Sequence, residues 1–136
     1  MTIIWGYSPD SKLPRSKKIG HAIPEVKQVF SALLFKEGIN GIIIRIESIQ
    51  EQTEAIMKLI IDDEVVISEN LVSTVPGDFT FKTEDTLLPK TKIEVAVEII
   101  KGCIQLPISA IGNGMGFQKK DGSYLPTNHL GLGLIL

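Results

Sequence analysis

Hydrophobic and polar residues alternate along two stretches of the chain, residues 41–49 and 92–100. In the first stretch Ile42, Ile44 and Ile46 fall at every second position, and isoleucine and valine do the same in the second. A period of two places alternate side chains on one face of a β-strand, and β-branched residues fit that pleated surface. Both stretches are therefore predicted to be strands that contribute to one core.

Shorter stretches with the same character occur along the rest of the chain, separated by turn-forming residues. Asp62-Asp63 and Asp121-Gly122 are typical of tight hairpin turns, and Pro107 favours an edge position for its strand. The apolar C-terminal stretch, with Gly131 and Gly133 on its bare face, is expected to be a paired internal strand. Further strands are predicted at 2–5, 55–61, 64–68, 79–82, 103–108 and 130–136, and a hairpin is predicted at 117–124 with its turn at Asp121-Gly122.

Residues 25–37 match two patterns at once. Their apolar positions fit a helix that would end at Gly38, but positions 29–35 also alternate as in a strand. A strand over residues 28–35 is favoured, and a helix that covers one sheet is the alternative.

Eight to ten short strands with turns between them predict an all-β fold, an antiparallel β-sandwich and in particular a jelly roll. Residues 25–136 are expected to form a single sandwich domain, and residues 1–24 an extended N-terminal arm rich in proline and lysine. The residues expected to be buried together in the core are Ile44, Ile46, Phe79, Phe81, Val95 and Val97.

The composition of the chain mainly argues against certain classes of protein, such as disulfide-rich and membrane-spanning ones. The chain has 136 residues, a net charge of −2 and one cysteine, Cys103, which cannot form an internal disulfide. No apolar run approaches the roughly 18 residues of a transmembrane helix, and the N-terminus lacks the features of a signal peptide. A cytoplasmic or virion-associated protein is expected, although a piece of a larger secreted protein would look the same.

A cluster of cations, Lys12, Arg15, Lys17 and Lys18, lies within seven residues of the N-terminal segment. Such a cluster can contact phosphate or nucleic acid. No aromatic residue is interleaved with it, so a solvated surface segment is the favoured interpretation and nucleic-acid binding is not expected.

Three other groups of residues have the composition of a chemical site but lack its spacing or context. Residues 62–64 are acidic but lack the spacing of a calcium loop. The glycine-rich segment 112–116 precedes a hairpin, whereas a phosphate cradle needs a following helix. His21 and His129 are far from Cys103 in sequence, and no catalytic motif is present. The expectation is therefore no catalytic residues, no metal and no cofactor.

The succession of strands and loops across residues 28–100, including 41–46, 57–62, 77–81 and 88–97, resembles the jelly-roll sandwiches of carbohydrate-binding modules and of phage and bacterial appendages. That resemblance implies sugar binding on aromatic platforms, often with a structural calcium. The candidate stacking residues are Trp5, Tyr7 and Tyr124, and Asn113 in the glycine-rich loop completes the predicted ligand-binding set.

Two functions are therefore expected as alternatives. The first is a non-catalytic binding module for carbohydrate, and the second is a structural subunit of a viral, phage or bacterial surface assembly. A homo-oligomer is predicted because isoleucines also occupy the outward positions of the best strands, where polar residues are usual. These are Ile43, Ile49, Ile56, Ile60 and Ile100.

Overall fold

The computed structural model describes residues 2–10, 15–32, 35–126 and 128–136, and these contain β-strands and no α-helix. No helix in these ranges is long and apolar enough to cross a membrane. The strands are β1 (Ile3–Trp5), β2 (Arg15–Ile19), β3 (Glu25–Ser31), β4 (Ile39–Ile46), β5 (Ser48–Ile49), β6 (Thr53–Ile61), β7 (Glu64–Ser73), β8 (Gly77–Leu87), β9 (Lys92–Lys101), β10 (Ile104–Ser109), β11 (Phe117–Lys119), β12 (Tyr124–Leu125), β13 (His129–Leu130) and β14 (Leu132–Ile135).

The strands form antiparallel sheets around one core. One sheet has the order β1-β14-β4-β8, and a second has the order β12-β11-β3-β9-β6-β7. A smaller sheet has the order β13-β10-β2, with β5 also paired to β10. All three sheets contribute buried residues to a common cluster, among them Ile42, Met57 and Leu106. The predicted antiparallel β-sandwich is confirmed, and the jelly roll within that class stays a prediction.

The two alternating stretches are interior strands of different sheets. β4 lies between β14 and β8, and β9 lies between β3 and β6. Ile44, Ile46, Val95 and Val97 are buried in the common core, as predicted. Each such side chain removed from water stabilises the fold by about 1.5–3 kcal/mol.

Phe79 and Phe81 were predicted to be buried with these residues, and that prediction is wrong in degree. Both are only half-buried, although they pack against the core. They lie on β8, which pairs with β4 on one side and forms the edge of its sheet. An edge strand has a neighbour on one side only, so its core-facing side chains keep part of their contact with water.

The ambiguous segment is a strand, and the helical alternative is wrong. β3 spans Glu25–Ser31, three residues earlier than predicted, and its seven residues pair in register with β9. Val26 and Phe30 are fully buried. The strand ends before Phe35, whose N–H donates to the carbonyl of Ala32. Pairing with β9 satisfies the backbone and buries the apolar face, which decides between two patterns that the sequence fits equally well.

The turn between β6 and β7 forms as predicted. Ile61 and Glu64 are paired, and the two residues between them, Asp62 and Asp63, have φ angles of 51° and 69°. Positive φ at both central positions is the requirement of a type I′ hairpin turn, which aspartate tolerates better than most residues.

Pro107 lies in an interior strand, so the edge position predicted from it is wrong. β10 pairs with β2 along one side, and its other side is shared between β5 and β13. The β5 pairing covers Ile104 and Gln105, and the β13 pairing covers Ile108 and Ser109. Pro107 falls between these two pairings, where a missing N–H breaks neither of them.

The C-terminal strand is internal, as predicted. β14 pairs with β1 and with β4. At Gly133 a Cβ atom would lie 2.9 Å from the Ile4 carbonyl oxygen and 3.2 Å from Cε3 of Trp5. The bare face of the strand is therefore occupied by the N-terminal segment, which contributes β1 to this sheet and β2 to the smaller one.

Two of the five isoleucines that were predicted to face outward are buried. Ile43 is 2% exposed beneath Trp5 and Tyr7, and Ile60 is 7% exposed. Ile49 and Ile56 are half-buried, and Ile100 is 57% exposed. Ile43 and Ile60 are thus buried within the chain and only Ile100 of the five is exposed, and the homo-oligomer stays a prediction.

Candidate functional site

Trp5 and Tyr7 form a closed cluster on the outer face of the four-stranded sheet. They are 9% and 7% exposed, and their rings meet edge to face with centroids 5.6 Å apart. The Arg45 guanidinium lies 4.4 Å from the centroid of the Trp5 ring, a cation–π geometry. Both rings are already covered by the protein, so their predicted role as sugar-stacking platforms has no support in this geometry.

Arg45 fixes this cluster through charged hydrogen bonds. Its Nη1 donates to the Tyr7 hydroxyl at 2.6 Å, and Nε and Nη2 donate to the two carboxylate oxygens of Asp78 at 2.9 Å each. Asp78 raises the pKa of Arg45, and burial raises the pKa of Tyr7, so both side chains stay protonated at neutral pH. A bidentate pair of this kind holds its geometry well and leaves few free donors for a ligand.

Gln28 is a fully buried polar side chain on the core face of β3. Its Oε1 accepts the N–H of Leu130 at 2.7 Å, and its Nε2 donates to the carbonyl of Gly116 at 2.8 Å. A Cβ atom at Gly114 would collide with Nε2. The glycine-rich loop is thus held by close packing on Gln28, which accounts for Gly114 without a phosphate ligand.

His129 lies in the same buried region. Its Nδ1 accepts the N–H of Gly116 at 3.3 Å, so the neutral ring carries its proton on Nε2. Burial lowers the pKa of His129, because the charged ring loses hydration that no acidic partner replaces.

We predict that His129 makes the protein less stable as the pH falls below about 6.5. The unfolded chain binds a proton at its ordinary pKa, whereas the folded chain, with the lowered pKa, does not. Unfolding therefore takes up a proton, and stability is lost from about pH 6.5 down to the folded pKa. His129→Asn, whose amide oxygen can still accept the Gly116 N–H, should flatten this part of the curve.

Urea unfolding between pH 7.5 and 5 measures the effect, and His21→Asn at the exposed histidine is the matched control. If the two variants changed the slope equally, the assignment to His129 would be wrong.

Tyr124 is the exposed aromatic residue of the predicted ligand set. It is 47% exposed, and its hydroxyl donates to the carbonyl of Met115 in the glycine-rich loop. Met115 is 50% exposed and Ile111 is 78% exposed, and Asn113 between them is exposed as well. We call these four residues the Tyr124 surface. It combines an oriented aromatic ring, apolar area and a side-chain amide on loops that a rigid sandwich supports.

Asn113 itself is oriented by the N-terminal segment. Its N–H donates to the carbonyl of Gly6 at 3.0 Å, and its Nδ2 donates to that of Trp5 at 3.4 Å. The glycine-rich loop therefore packs on Gln28 and is also hydrogen-bonded to residues 5–6. Of the four predicted ligand residues, the structure leaves Tyr124 and Asn113 at the surface and buries Trp5 and Tyr7.

Cys103 does not form a nucleophile pair with His129. Cys103 directly precedes β10, whereas His129 pairs with Ser109 at the opposite end of that strand, about 20 Å away at 3.3 Å per residue. The backbone before His21 does approach the thiol, because a Cβ at Gly20 would lie 3.1 Å from Sγ. The thiol's hydrogen bond is to the carbonyl of Ile104, at 3.9 Å.

At the β6–β7 turn, the carboxylate of Asp62 accepts hydrogen bonds from backbone N–H groups. The Asp62 carboxylate accepts the N–H groups of Lys90, Thr91 and Lys92 at 2.7–3.0 Å and the Thr91 hydroxyl at 2.6 Å. These bonds, led by that from the Thr91 side chain, lower the pKa of Asp62. Asp62 thereby clamps the β8–β9 loop onto the turn. Within the described residues, no group of three or more acidic, histidine or cysteine side chains is placed to hold a metal ion.

The basic cluster lies on an edge strand, except for Lys12, which is outside the described residues. Arg15, Lys17 and Lys18 belong to β2, which pairs with β10 and ends its sheet. Lysine on an edge strand is a common device against pairing with arbitrary strands. This position gives the charges a role that requires no nucleic acid.

No protein-family model matches the chain, and no curated protein matches it. A solved structure, a clostridial cysteine protease named Cwp84 after propeptide cleavage, is similar to it, with a TM-score of 0.55 and 10% sequence identity. The match covers 93% of this chain and 41% of that one. At this identity the similarity shows the fold alone, and the chain spans about two fifths of the structure that it matches.

Proposed function

We propose that this chain is a non-catalytic β-sandwich module that works by binding, with carbohydrate as the ligand class and the Tyr124 surface as the contact. One observation supports the proposal above the others: the Tyr124 ring is held at the surface by its hydroxyl while half of its area stays exposed. An aromatic ring that is fixed in this way gives large contact area at low entropic cost, and sugars stack their apolar faces on such rings.

The neighbouring side chains suit the same ligand class. Asn113, in the same exposed loop as Met115, offers its amide oxygen to hydroxyl groups while its Nδ2 donates to Trp5, and Met115, whose carbonyl accepts the Tyr124 hydroxyl, adds apolar area. The proposal needs no metal or cofactor, and it assigns no catalytic role to Cys103 or to either histidine.

A glycan array followed by calorimetry with the best glycan tests this function. We expect Tyr124→Ala to weaken binding by about tenfold or more, since loss of one stacking contact removes roughly 1–2 kcal/mol. Tyr124→Phe keeps the ring and should bind within a few-fold of the wild type. An empty array, or equal binding by the wild type and Tyr124→Ala, would contradict the proposal.

The second candidate function is a structural subunit that acts by assembly. It is favoured by β7 and β8, two long strands that each form the edge of a sheet. Exposed valines accompany them, at 52% for Val65, 57% for Val72 and 60% for Val75. A long, exposed, apolar edge strand is a template for pairing with another chain.

A further inference from the structure

We propose that copies of this chain associate head to tail, with the basic edge strand β2 of one copy adding to the acidic edge strand β7 of the next. This inference rests on the second candidate function and names the contact that it would use. In the described part of the chain, β2 pairs with β10 alone and β7 with β6 alone, so each has a free edge.

Both edge strands carry a charge that points toward the interior of their own sandwich. Lys17 on β2 is paired with Leu106, and Glu69 on β7 is paired with Met57, and both partners are fully buried. Residues opposite each other in an antiparallel pair project to the same face of the sheet. Lys17 and Glu69 therefore lie on the core-side face of their strands, where Lys17 is half-buried and Glu69 is exposed at the open edge.

An inward-pointing charge prevents an edge strand from accepting an arbitrary partner, because pairing would bury the charge without compensation. The two charges here have opposite signs. Pairing β2 with β7 would place Lys17 beside Glu69. The two charges that disfavour pairing with other strands would then attract each other. Specificity of this kind combines repulsion of wrong partners with attraction of the right one.

The surroundings of Glu69 extend the charge complementarity. A cleft of about 480 Å³ separates β7 from β8, and it is lined by Glu69, Glu84 and Asp85 with Lys82 as its cation. β2 brings three cations, Arg15, Lys17 and Lys18. Charge complementarity across two exposed strands thus selects a second copy of this chain as the occupant.

The lengths of the two strands also agree. A register shift after Leu59 leaves β7 regular over residues 67–73. The five residues of β2 fit within this segment with Lys17, the middle residue, opposite Glu69. Because β2 and β7 are different surfaces, the contact is heterologous, and its repetition gives a ring or a filament.

Charge reversal and its rescue test the contact by sedimentation velocity between about 1 and 100 µM. We expect Lys17→Glu and Glu69→Lys each to weaken self-association at least tenfold, since like charges then face each other. The double variant, and an equimolar mixture of the two single variants, should associate as the wild type does. Association should also weaken as sodium chloride rises from about 0.05 to 0.5 M.

Lys120→Glu and Glu51→Lys change the net charge equally at exposed positions outside both strands, and they should leave association unchanged. Circular dichroism checks that every variant is folded, and Lys17→Gln and Glu69→Gln replace any reversal that is not. A wild type that is monomeric at 100 µM would overturn both the contact and the assembly function. An oligomer that is insensitive to the single variants, or not rescued by the double variant, would overturn the contact alone.

Discussion

Replacing Trp5 by alanine is expected to lower the free energy of unfolding by about 3–5 kcal/mol, a large part of the total for a domain of this size. The ring is buried over Gly133 and Ile43, meets Tyr7 edge to face and carries the Arg45 guanidinium on its face. The truncation would open a cavity beneath the N-terminal strand and leave Ile43 exposed. Urea unfolding followed by circular dichroism measures the loss, because the variant lacks the protein's single tryptophan.

Tyr124→Ala is the matched comparison at an exposed aromatic residue. It should change the free energy of unfolding by no more than about 1 kcal/mol, the cost of one surface hydrogen bond. The two variants thus separate a structural aromatic from a ligand-binding one: the first should lose stability and the second should lose glycan binding. A loss below about 1 kcal/mol for Trp5→Ala would show that Trp5 does not close the outer face of this sheet.

The strands and turns that could be predicted are those whose signal is local. The period-two alternation in β4 and β9 and the two aspartates between β6 and β7 depend on neighbouring residues only, and the structure confirms them. The same holds for the C-terminal strand, in which Gly131 and Gly133 mark the close approach of another segment. Local patterns of this kind also predict the all-β fold class, which the structure confirms.

The features that could not be predicted depend on which strands become neighbours in the fold. Pro107 lacks an N–H group and therefore indicates an edge strand. Its interior position is possible because β5 and β13 pair with different parts of the same side of β10 and leave Pro107 between them. Arg45 and Asp78 are distant in sequence from Trp5 and Tyr7 and from each other, so nothing local shows that Arg45 covers the tryptophan. Burial of Trp5 and Tyr7, two of the four predicted ligand residues, follows from this long-range contact.

Two further residues, Gln28 and Glu69, are marked in the sequence by their position within an alternating apolar face. Gln28 stands between Val26 and Phe30 at a core-facing position of β3, and Glu69 stands between Ile67 and Leu71 in the same way on β7. A single polar residue that interrupts an alternating apolar face marks either a buried hydrogen-bonding centre or a guarded edge. The structure shows the first at Gln28, and the proposed contact uses the second at Glu69.

Gln28→Met is expected to cost about 1–3 kcal/mol of stability, although methionine has nearly the same length and volume. The thioether cannot replace either hydrogen bond. The N–H of Leu130 would be left buried and unpaired, whereas the carbonyl of Gly116 still accepts the N–H of Val29 at 2.9 Å. Each unsatisfied buried group costs about 1–3 kcal/mol. Gln118→Met, at a half-buried glutamine of the neighbouring strand β11, should change stability by no more than about 0.5 kcal/mol.

Amide hydrogen exchange locates this loss within the fold. Gln28 joins the glycine-rich loop to β13, so exchange at Leu130 and in residues 112–116 should accelerate in Gln28→Met more than exchange in β6 and β9. Local opening of that kind would also loosen the support of Tyr124 through Met115, and glycan affinity should fall together with protection of the loop. Equal acceleration in all strands would instead indicate that Gln28 contributes to global stability without holding the loop, and the proposed support of the Tyr124 surface would then be wrong.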